Sequence, residues 1–146
     1  MADVWSDPIT DVDVSDAKEP QMLPAGVTLR FVIKSATYND ELKVINFKCA
    51  PLELPDELDA SAPVSWVDWA VWLPNAAKQT PENLNFSKLR LKQIKKEFGI
   101  GEDENLVPSQ FIERCISGVT KEKKQKAEQL AKWGPSMEID FVGVVD

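Results

Sequence analysis

Three tryptophans fall within seven positions of the stretch "VSWVDWAVWLP" (residues 64–74): Trp66, Trp69 and Trp72. An indole either fills a core or offers a flat π-face to a ligand, such as the bases of a single nucleic-acid strand. The period of the segment decides between these uses. A helix would align all three on one ridge. The segment is short, fenced by Pro63 and Pro74, and rich in valine and tryptophan, which favour strands. As a strand it puts Val67, Trp69, Val71 and Leu73 on one face and Trp66, Asp68, Ala70 and Trp72 on the other. Trp69 is then predicted in the core. Trp66 and Trp72, about 20 Å apart along a strand, are predicted to stack on different nucleotides.

Cations of matching parity precede them. In "VTLRFVIKSATY", Val27, Leu29, Phe31 and Ile33 alternate with Thr28, Arg30 and Lys34, a half-buried strand with a basic outer face. In "LKVINFKCAPLEL", Ile45, Phe47 and Cys49 share one parity and Val44, Asn46 and Lys48 the other. Arg30, Lys34 and Lys48 are the predicted phosphate contacts, because ammonium and guanidinium groups replace the counterions of a polyanion. The helix read from "FSKLRLKQIKKEFG" carries Lys88, Lys92, Lys95 and Lys96 mostly off its Leu91–Ile94–Phe98 stripe. Those lysines are predicted to extend the track. The competing reading has the helices lying over Trp66 and Trp72, and the basic helix surface merely solvated.

Other chemistry is poorly provided for. The chain has no histidine, which removes imidazole acid–base catalysis, the His-dependent nucleophile arrangements and the usual zinc and iron sites. There is no P-loop and no G-x-G-x-x-G, and the acids of "DVDVSD" (residues 11–16) lack the glycine and closing glutamate of an EF-hand. No catalytic residue, metal or cofactor is therefore expected. Cys49 and Cys115 are far apart in sequence and read as packed thiols in a reducing cytoplasm. No stretch is long and apolar enough to span a membrane, and no secretory signal is expected at the acidic N-terminus.

The positioning elements follow from periodicity and punctuation. Residues 1–22 read as an acidic, flexible arm anchored by Trp5, and residues 23–146 as the folded domain. The net charge of −7 is uneven: residues 1–20 carry −5, residues 84–100 carry +4 and residues 117–133 carry +3. Asn39-Asp40 turns the first two strands into a hairpin. Ser87 is the expected N-cap of the basic helix and Gly99 its C-terminal stop. "PSQFIERCIS" (residues 108–117) reads as a short helix burying Phe111, Ile112, Cys115 and Ile116. "TKEKKQKAEQLAKW" (residues 120–133) reads as a third helix capped by Thr120, and "SMEIDFVGVVD" as a closing strand. The fourth strand is unassigned unless part of 114–120 or 141–145 supplies it. The predicted fold class is mainly β with helices: an OB-fold-like barrel of about five strands, with two or three helices inserted after the third.

"LPAGVTLRFVIKSATYNDELKVINFKCAPLE", the strand closing in "WLPN" and the helix "LRLKQIKKEFGI" resemble small bacteriophage proteins of single-stranded-DNA-binding type. These include an uncharacterised family associated with phage replication and recombination. The resemblance covers about residues 23–116. It implies an OB-fold that coats single-stranded DNA during phage replication, recombination or repair, in the host cytoplasm. Such proteins commonly end in an acidic tail that recruits partner enzymes. Here the acidic segment is N-terminal, and residues 1–20 are expected to contact replication or recombination proteins. Three readings stand at this point: sequence-independent single-strand binding, a protein-interaction or virion-accessory module that could self-associate through its apolar face, and an acidic DNA mimic that inhibits a host protein.

Overall fold

The computed structural model describes residues 14–133 and 136–146. Trp5 and most of the acidic arm lie outside the described residues. Strands β1 (Thr28–Asn39), β2 (Val44–Pro51) and β3 (Val67–Trp72) form an antiparallel meander. Then come helix α1 (Pro81–Phe98), a 3-10 turn at Pro108–Gln110, strand β4 (Cys115–Glu122), helix α2 (Ala127–Trp133) and strand β5 (Met137–Val144). The strands close into a barrel in the order β1-β2-β3-β5-β4. Among the described residues the architecture is a mainly β, OB-like five-stranded barrel with two α-helices, one after the third strand and one after the fourth.

The N-terminal half of β1 pairs with β4 and the C-terminal half with β2, so one long strand serves both halves of the barrel. A bulge between Ile33 and Ser35 takes up the bend, as bulges do at barrel corners. Alternation is obeyed where it matters. Leu29, Phe31, Ile33, Ile45, Phe47, Cys49, Val67, Trp69, Val71, Ile116, Met137 and Ile139 are all buried. Trp69 lies at the centre, with ring centroids 4.8 Å from Phe47, 4.7 Å from Phe141 and 6.2 Å from Phe98. Each such ring removes roughly 200 Å² from water, on the order of 5 kcal/mol of gross transfer free energy. Helix α1 plugs the barrel by burying Ile94 and Phe98.

Three local expectations are corrected. The N-cap of α1 is Thr80 rather than Ser87: its hydroxyl accepts from the Asn83 amide at 3.2 Å, with Pro81 as the first helical residue. Ser87 lies inside the helix, its hydroxyl accepting from the Gln79 amide at 2.8 Å. The expected helix over 108–117 is a single 3-10 turn, because Glu113 has φ 68° and the chain then joins the sheet as β4. Thr120 is not a helix cap; it is buried within β4, where its hydroxyl donates to the Pro24 carbonyl at 2.6 Å and accepts from the Val27 amide at 3.0 Å. Sheet pairing there outweighs local helix propensity. The 114–120 stretch thus supplies most of the fourth strand, which runs on to Glu122, and Gly99 ends α1 at φ 72° as expected.

Candidate nucleic-acid interface

The antiparallel register builds the outer face of β1–β3 row by row. Ser35, Lys48 and Asp68 form one row; Thr37, Asn46 and Ala70 the next; Asn39, Val44 and Trp72 the last, where Val44 is buried although it shares the outward parity. Trp66 immediately precedes β3. Trp66 and Trp72 are 54 % and 50 % exposed, whereas Trp69 between them is 4 % exposed. Helix α1 borders Trp72 across a groove yet leaves half of that indole open. Each of the two outer indoles presents a half-open face at opposite ends of one strand, with a lysine between them.

Asp68 sits between the tryptophans and would by itself repel a phosphate. It is held by two ammonium groups: Lys48 directly across the strand pair, and Lys123 at 3.0 Å. Burial pushes the Asp68 carboxyl up, but the two lysines outweigh it and keep the group below the ordinary carboxylate range. The Lys48–Asp68–Lys123 cluster by itself therefore carries one net positive charge. Lys123 belongs to the connection after β4, so this contact brings the start of the β4–β5 connection against β3 at Asp68. In an OB barrel that loop flanks the ligand-binding strands.

The other predicted cations are less concentrated. Arg30 lies on β1 and pairs with Glu53 at 3.4 Å; Lys34, at the bulge, pairs with Glu113 at 3.4 Å. Both are two strands away from the tryptophans. Lys95 donates to the Glu102 and Glu104 carbonyls at 2.9 and 2.8 Å, and Lys92 meets Glu102 at 3.5 Å. Together with Lys88 they surround Leu91 on the side of α1 that faces the 101–106 loop. Lys88 and Lys96 make no ion pair among the described residues. The structure thus leaves Trp66 and Trp72 open at the two ends of β3, sets Lys48 across from Asp68 between them, and holds Arg30 and Lys34 two strands away on β1 and the helix lysines on α1.

Sequence reasoning missed Arg90 and Lys123. Arg90 lines a groove of about 450 Å³ with Trp72, Gln93, Lys121 and the strands β3 and β5. Its signal was available: it precedes buried Ile94 by four residues and so shares its side of the helix. Lys123 had no signal while its segment read as a helix. A second cavity, about 680 Å³ and largely apolar, opens between the end of the β1–β2 hairpin and α1, lined by Tyr38, Ile45, Leu73, Leu91, Val107 and Phe111.

Among the described residues no group of three or more His, Cys, Asp or Glu could hold a metal, and no helix is long and apolar enough to cross a membrane. Cys49 is buried and Cys115 half-buried, both as free thiols. Comparison with protein-family models finds no match, and comparison with curated proteins finds none either.

Proposed function

We propose that this barrel binds single-stranded nucleic acid, and DNA in particular, without catalysing a reaction on it. The observation that carries the reading is the exposure of Trp66 and Trp72 at the two ends of β3 in an OB-like barrel, with Trp69 between them packed inside. Nothing in core packing requires two half-open indoles six residues apart on a strand. As stacking platforms they would each contribute about 1–3 kcal/mol per base, whatever its sequence. Lys48, Lys123 and Arg90 supply the nearest phosphate contacts. Lys48 and Lys123 hold the largely buried Asp68, but both ammonium groups are about half exposed and each has further N–H donors, so a phosphate can bind beside the carboxylate without displacing it. The resemblance of residues 23–116 to phage single-strand binders supports the same reading, with a role in replication, recombination or repair in a host cytoplasm and the acidic arm contacting other proteins.

The test is a tryptophan-fluorescence titration with oligo-dT over a range of salt. Quenching with an apparent slope of log K against log salt near −2 is expected for about three phosphates contacted by a single strand. Absence of quenching at low salt, with no shift of the oligonucleotide on a native gel, refutes the proposal. An oligo-rU titration in parallel separates DNA from RNA. A second reading, a protein-interaction module, draws on the apolar cleft of about 680 Å³. It predicts a stable complex or oligomer burying that cleft, with no salt-dependent affinity for oligonucleotides.

A further inference from the structure

The groove beside Trp72 arises because β3 and β5 part company. They run parallel and pair at a single rung, Asp68 with Glu138. Past it, Trp69–Trp72 and Ile139–Phe141 line the two sides of an opening of about 450 Å³, and α1 lines it from below with Arg90 and Gln93. That volume lies within the range of small-ligand sites.

Its lining differs in kind from the apolar cleft. Trp72, half exposed, forms a wall suited to an aromatic ring. Arg90 makes no ion pair among the described residues and leaves its guanidinium available to a phosphate. Gln93 is exposed and offers both a donor and an acceptor. Asp140 and Glu138 offer only acceptors; Lys121 lies against both, at 2.7 and 3.7 Å, which offsets one of the two negative charges and leaves the second Asp140 oxygen open to a further donor.

We infer that this groove is a base-reading subsite that takes a nucleobase with an exocyclic amino group, cytosine ahead of thymine. The inference rests on the proposed single-strand binding. A ring stacked on Trp72 with its phosphate at Arg90 turns its hydrogen-bonding edge toward Gln93 and Asp140. The amino group of cytosine can donate to the carboxylate, as Asp and Glu accept from that group elsewhere. Thymine places a carbonyl there instead, acceptor against acceptor. The loss of one satisfied bond and the gain of a repulsive contact both penalise it. The barrel would then combine indifferent stacking at Trp66 with selective stacking at Trp72.

Fluorescence titrations with oligo-dC and oligo-dT of about ten nucleotides, within the site size of one OB barrel, test this at low salt and mildly alkaline pH. Oligo-dC is expected to bind at least about fivefold more tightly, the low end of what one base-edge contact supplies. Gln93→Ala together with Asp140→Ala is expected to bring the ratio to near one while oligo-dT still binds. Both side chains are exposed, so the fold is retained, as far-UV circular dichroism will show. Equal affinity of the wild-type protein for the two oligomers overturns the inference and leaves single-strand binding standing. A preference that survives the double substitution overturns it as well. Failure of both oligomers to bind overturns the proposed function and this subsite with it.

Discussion

The three neighbouring tryptophans differ in what their loss would do. Trp69→Ala removes the ring that touches Phe47, Phe98 and Phe141 and is expected to cost about 3–5 kcal/mol of stability in denaturant unfolding. Trp66→Ala and Trp72→Ala, at half-buried rings, are expected to cost less stability than Trp69→Ala, about 1–2 kcal/mol each, yet each to weaken oligo-dT binding by about 1–3 kcal/mol. Asp68 supplies a pH signature. Its carboxyl titrates below the ordinary 3.8 in the folded protein, so its pairing with Lys48 and Lys123 adds stability that is complete above that pH. The contribution is lost as the pH falls through the lowered value. Asp68→Asn is therefore expected to lower stability at neutral pH by about 1 kcal/mol, and the gap between variant and wild type should narrow below pH 3.8 when both are unfolded in urea. Burial, aided by the charge of Asp68, pushes the Cys49 thiol up to about 12. Iodoacetamide at neutral pH should modify Cys49 only after unfolding.

At the scale of the element, α1 depends on its two ends. Thr80→Ala removes the acceptor of the Asn83 amide and is expected to lower the thermal midpoint through a loss of about 1 kcal/mol. Gly99→Ala, at φ 72°, should cost a similar amount, since a β-carbon disfavours that backbone. These ends show how far a linear reading reached. Gly99 and strands β1, β2, β3 and β5 were legible because their alternation and turn residues are local signals. Thr80 was overlooked because Ser87 and its following lysines looked like a better start, although Pro81 marked the true one. Residues 115–122 read locally as helix, with part of 114–120 only an alternative strand, for a physical reason. Their strand state depends on pairing with β1 and β5, partners more than eighty residues before and about twenty after. Within the site, parity placed Trp66, Trp72 and Lys48 on one face, but it could not show that Arg30 and Lys34 already have carboxylate partners. Nor could it foresee that Lys123 would arrive from a loop to neutralise Asp68.

For the molecule as a whole, charge and closure set the behaviour. Residues 1–13 carry four aspartates, more than half of the net −7. Residues 14–22 run to the tryptophan end of β3, where Gln21 exchanges backbone hydrogen bonds of 2.8 Å with Pro63 and Ser65. Removing residues 1–13 lessens long-range repulsion of a polyanion, and the oligo-dT association rate at low salt is expected to rise, with the difference fading as salt is added. The junction of β3 and β5 has a different consequence. Four sides of the barrel are zipped by long antiparallel ladders, and the fifth is fastened at one rung, Asp68 to Glu138. A cylinder closed that way has a seam. Thermal fluctuation should part it there before any other pair of strands separates, so amide protons along the β5-facing edge of Trp69–Trp72 are expected to exchange with solvent sooner than those shared by β1 and β2. The residues that form the stacking surface would then also border the place where the closed barrel first becomes an open, curled sheet.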